Sequence, residues 1–147
     1  MFRTLALSLI IALPLAAQAQ PSVQDLSRCL ADNTSGKDRK DLARWVFIAM
    51  ASHPEIKKYA SSEADAAAEE SSRTTAGLFT RLLADNCSKQ TQAAVKDGGT
   101  AAIQAAFQTL GQLAMQELMS DSNVKTRMGA FESYIDQNKL NQALTPK

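Results

Sequence analysis

Residues 35–54 read SGKDRKDLARWVFIAMASHP, and this stretch decides how the chain folds. Its first half is charged, with Lys37, Asp38, Arg39, Lys40 and Asp41 in a row. Its second half is apolar. A helix turns by about 100° per residue, so the apolar side chains between Leu42 and Ala51 cover almost the whole circumference. A helix apolar on every side is one that other elements enclose, which predicts a central helix with Trp45 in the core. Ser35 and Asp38 have the spacing of a capping box at its start, and His53-Pro54 marks its end.

Working outward, helical signals continue in both directions. Upstream, Ser22 and Asp25 resemble another capping box, and Val23, Leu26, Cys29 and Leu30 share one helical face. Downstream, Ser52 and Glu55 suggest a third box, with Pro54 inside the first turn and Ile56 and Tyr59 on a short helix. A long helix is predicted from Ser62 to about Asn86. Its first half is alanine and polar residues with little to bury, and its second half puts Leu78, Phe79, Leu82 and Leu83 on one face. A short helix from Ser88 to Lys96 ends at Asp97-Gly98-Gly99. Thr100 then caps a helix striped with Ile103, Ala106, Phe107, Leu110, Leu113, Ala114 and Leu118. After the break at Ser120-Asp121-Ser122, a last helix is expected from Asn123 to about Asp136. Val124, Met128, Phe131 and Ile135 are expected to point inward, with a frayed tail from Leu140. Nothing alternates with period two over a useful length. The fold class predicted is all-α, a compact single-domain bundle of about five to seven helices over residues 20–147.

The first twenty residues, MFRTLALSLIIALPLAAQAQ, carry Arg3 as their one charge, an apolar run from Leu5 to Leu15, and the small-x-small site Ala17-Gln18-Ala19. This is the plan of a secretory signal peptide over residues 1–19. The apolar run is too short for a bilayer core, which takes about 20 residues. Export to an oxidising compartment predicts that the chain's two cysteines, Cys29 and Cys87, form a disulfide. The net charge is +1, and losing Arg3 leaves basic and acidic side chains equal in number. Such a chain lacks the positive excess that drives nucleic-acid binding. No stable membrane insertion is expected after cleavage.

No motif commits the chain to a reaction, metal or cofactor. Gly36-Lys37 lacks the upstream glycine and the hydroxyl of a phosphate loop. Asp32 to Gly36 lacks the closing glutamate of a calcium loop. Ser122-Asn123-Val124-Lys125 stands without the partner motifs of acylating enzymes. Glu69 and Glu70 are adjacent on a helix and so diverge, unlike a glycosidase pair. The single histidine, His53, reads as a helix cap. The stretch Cys29–Pro54, around Asp38-Arg39-Lys40 and Trp45, resembles the start of a group of short exported helical proteins of Gram-negative bacteria. That resemblance implies a periplasmic location and supplies no activity.

The functional expectation is a non-catalytic periplasmic or secreted binding protein. Its partner is expected to be another envelope protein, met as an inhibitor, an immunity-type protector or a chaperone-like binder; the oligomeric state is open. The candidate binding residues are Asp32, Lys37, Asp38, Arg39, Arg44 and His53, because Asp32 to Asp41 holds no large apolar residue and follows the disulfide that would steady it. The same segment reads equally as a soluble capped turn. An alternative is a small-molecule carrier with a pocket among Trp45, Phe79, Phe107 and Phe131. A small envelope enzyme is the remaining class. A large exposed apolar patch would favour the first class, an enclosed cavity the second, and converging groups of shifted pKa the third.

Overall fold

Helix α1 (Pro21–Asp32) starts on proline, whose fixed φ and missing N–H suit a first helical turn. The computed structural model describes residues 20–145, and every regular element among them is helical. The expected signal segment, residues 1–19, lies outside them. Because Pro21 takes the first turn, Ser22 falls inside the helix and is buried. Gln20 occupies the cap position with no side-chain bond, so the box expected at Ser22 and Asp25 does not form.

Helix α2 (Gly36–Ala51) begins at the predicted box. Ser35 Oγ accepts the Asp38 N–H at 3.2 Å, and the Asp38 carboxylate accepts the Ser35 N–H at 2.8 Å. Helix α3 (Pro54–Lys57) is capped by His53, whose Nδ1 accepts the Glu55 N–H at 3.2 Å. The Ser52 hydroxyl instead donates to the Ala49 carbonyl at 2.7 Å, so the box expected at Ser52 and Glu55 is absent. Helix α4 (Ser62–Thr80) runs into a π-helical segment, Arg81–Asn86, and the Cys87 N–H reaches back to the Leu82 carbonyl at 2.9 Å. That wider turn brings Cys87 beside α1, where it is disulfide-bonded to Cys29 with Cα atoms 5.9 Å apart.

Helix α5 (Ser88–Met119) is interrupted at Gly99 alone, with φ 60° and ψ −150°. This backbone belongs to glycine, so the break read at Asp97-Gly98-Gly99 narrows to one residue. Helix α5, not α2, is the central element: α1 and α2 both pack on it, and α4 packs on α2. Ala94, Ala102, Ala106, Leu110 and Ala114 form its buried seam, and the small alanines let α1 approach closely. Leu26, Leu30, Leu82, Leu110 and Cys87 are the largest fully enclosed side chains.

Expectations about burial are overturned as well. Helix α2 buries only Asp41, Leu42, Ala43 and Ala51, while Trp45 is half-buried and Val46, Phe47 and Met50 are exposed. Its neighbours α4 and α5 each offer one apolar stripe, too little to enclose it. The carboxy-terminal residues also do not point inward. Helix α6 (Ser122–Gly129), a 3-10 turn (Ala130–Tyr134) and helix α7 (Gln137–Leu144) contain no buried residue. Among the other helices, this arm approaches only the end of α5. The tail is helical as far as Leu144, where fraying was expected from Leu140, because the Asp136 carboxylate caps α7 by accepting the Lys139 N–H at 3.1 Å. No helix among the described residues is long and apolar enough to cross a membrane.

Candidate functional site

The polar residues singled out from the sequence divide among separate tasks. Asp32 is exposed in the last turn of α1. Lys37 and Arg44 both turn to the buried Asp41, with Arg44 Nη1 at 3.3 Å and Lys37 in hydrogen-bond contact. Arg39 donates to the Thr34 carbonyl at 3.0 Å. Asp38 meets Arg81 Nη2 at 3.0 Å, and Arg81 Nη1 also donates to the Asn33 carbonyl at 3.2 Å. His53 stands at the other end of α2, about 24 Å away along the axis. The turn after α1 is therefore capped and tied to the π-helical segment by Arg81, and the six residues form no common cleft.

Burial alone would raise the Asp38 pKa. Hydrogen bonds from the Ser35 N–H and hydroxyl, with the nearby Arg81 guanidinium, outweigh it and hold the carboxyl below its ordinary 3.8. A carboxylate with a lower pKa folded than unfolded adds stability above the unfolded value, and that stability is lost as pH falls through the folded one. Asp38→Asn is therefore expected to be less stable than the wild type at about pH 7, with the gap closing towards about pH 3. Urea unfolding at both pH values measures this, and a gap independent of pH would contradict it.

The apolar residues do converge. The Trp45 and Phe79 rings meet edge-on with centroids 6.4 Å apart, and Phe79 lies 4.3 Å from Phe107. Three of the four aromatics expected in a carrier pocket are thus together, whereas Phe131 is 62% exposed on the arm. They floor a pocket of about 290 Å³ between α2 and α5, walled by Leu42, Val46, Ala114 and Met115. Gly111 also lines it, and a methyl group there would meet no atom within 4 Å. Glycine in mid-helix costs about 1 kcal/mol relative to alanine, and here the missing side chain leaves a gap in the groove wall. The apolar surface continues outward in two directions, past Ala43 and Leu118 to Phe47 and past Trp45 and Val46 to Met50 and Ile56, with Phe47 and Met50 55% and 57% exposed.

Sequence reading missed Val46, Phe47, Met50, Gly111 and Met115 as surface residues. For the three on α2 a signal was available: the chain offers too few apolar stripes to surround Leu42–Ala51. Among the described residues, no group of three His, Cys, Asp or Glu side chains is placed to hold a metal ion. No family model, no curated protein and no solved structure matches this chain.

Proposed function

We propose that this is a binding or interaction protein of the periplasm or the extracellular space, and that its docking site is the apolar groove between α2 and α5. The observation that carries the reading is the apolar surface that runs from the Trp45–Phe79–Phe107 floor past Val46 to Met50 and past Ala43 and Leu118 to Phe47. Large exposed apolar patches on small domains mark interaction sites. A groove between two helices accepts the apolar face of an amphipathic helix, with one large side chain in the pocket and others along the rim. The partner is another envelope protein, and the role is that of an inhibitor, an immunity-type protector or a chaperone-like binder. The disulfide, the signal-like start and the resemblance of Cys29–Pro54 to exported proteins support the location. No catalytic step is part of this reading.

The aromatic floor also supports the carrier reading. The pocket volume is at the low end for small-molecule sites, about 300–1,000 Å³, and suits one anchoring side chain better than a whole ligand. A photo-reactive phenylalanine analogue placed at Val46, in the full chain in its native compartment, tests the choice. A discrete protein adduct is expected from Val46 and none from the same probe at Glu63, in the first turn of α4. No adduct from Val46, or identical adducts from both positions, would overturn the proposal.

A further inference from the structure

We infer that the groove is covered by the carboxy-terminal arm of a second copy of this chain, each copy's arm lying in the other's groove. The inference rests on the groove being a docking site and puts a second copy, in place of a different envelope protein, as its occupant. The chain itself carries a fitting ligand. Val124, Met128, Phe131 and Ile135 have helical spacing in the sequence, and the arm leaves Met128 and Phe131, with Leu140 and Leu144 of α7, exposed, while Val124 and Ile135 are half-buried. Two unpartnered apolar faces in one molecule satisfy each other in a two-fold exchange, the commonest symmetry of small oligomers.

One charge on each side agrees with this pairing, since Arg44 is already paired with Asp41 and Asp136 with Lys139. Lys40 and Arg44 flank Phe47 and Leu118 at one end of the groove. Glu132 and Asp136 flank Phe131 and Ile135 on the arm. Lys40 and Glu132 have no ion-pair partner among the described residues. The arm leaves the end of α5 through a hydrogen-bonded joint. There the Ser120 N–H bonds the Gln116 carbonyl at 3.0 Å and the Asp121 N–H bonds the Leu118 carbonyl at 3.2 Å. The Asp121 carboxylate caps α6 through the Asn123 and Val124 N–H groups at 2.8 and 3.1 Å. A second copy's arm enters with that joint intact.

Sedimentation of the purified full-length protein over a wide concentration range tests this, using Lys40→Glu and Glu132→Lys. The wild type is expected to form a dimer. Each variant alone faces like charges across both contacts and is expected to dimerise about tenfold more weakly. Mixing the two variants restores opposite charges at both contacts of the mixed dimer, so mixing is expected to recover the wild-type affinity. Docking of each arm within its own chain cannot be rescued by mixing. A wild type monomeric at every concentration, a dimer indifferent to both variants, or no recovery on mixing would each overturn the inference. If the protein is monomeric but Val46 still yields an adduct with a different protein, second-copy occupancy fails and the docking site stands. If Val46 yields no adduct and there is no dimer, both fail.

Discussion

Replacing Cys29 and Cys87 together by alanine is expected to lower the unfolding free energy by about 4 kcal/mol. The two cysteines are 58 residues apart, so the bond removes much of the freedom of the unfolded chain. It also joins α1 to the end of the π-helical segment, next to the turn where Arg81 ties Asn33 and Asp38. A domain of this size is stable by about 5–15 kcal/mol, so the loss takes a large share of the total. Cys87 is fully buried, and its replacement leaves a small void that adds to the effect. Urea unfolding of the variant and of reduced wild type separates the two contributions, because reduction breaks the bond and keeps both sulfurs. Equal stability of oxidised and reduced wild type would show that the bond contributes nothing.

The all-helical class was legible because period-3.6 stripes and caps agreed along most of the chain. The Ser35–Asp38 box, the His53 cap and the stripe of α5 stand where local chemistry put them. These are short-range features, and few competing contacts override them. Burial was read less well, because it depends on what faces a segment. The apolar ring of Leu42–Ala51 was consistent with enclosure or with an exposed binding face, and only the supply of neighbours decides between them. Helix α4 brings Ser71 and Thr75 to its buried side and a large apolar residue, Leu78, only near its end, so the outer face of α2 stays open. The arm misled in the same way: Val124, Met128, Phe131 and Ile135 have the spacing of a core stripe, but among the described residues no helix beyond the end of α5 lies against it. The charged turn from Asp32 to Arg44 stood out as a cluster in sequence, while Lys37, Asp38, Arg39 and Arg44 are engaged by Asp41, Arg81 and the Thr34 carbonyl. Gly111 gave no sequence signal, since a lone glycine in a helix is legible only once the space in front of it is known.

The central claim, that the groove between α2 and α5 is where this protein docks its partner, meets its strictest test in Gly111→Leu. Leucine is a better helix former than glycine by somewhat under 1 kcal/mol, and nothing stands within 4 Å of the new Cβ. The fold is therefore expected to be as stable as the wild type, or to melt a few degrees higher. The rest of the new side chain projects into a pocket of about 290 Å³, where it competes for the space of the partner's anchoring group. Removing one buried anchor from an interface typically costs 2 kcal/mol or more, so capture is expected to fall by roughly thirtyfold. Gly111→Ala adds a single methyl group and is expected to cause a smaller loss with a similar gain in stability. The deciding measurement is the yield of the Val46 photo-adduct in Gly111→Leu, taken beside its melting temperature. The account predicts an unchanged or raised melting temperature with the adduct nearly abolished, whereas an undiminished adduct in a stable Gly111→Leu protein would contradict it.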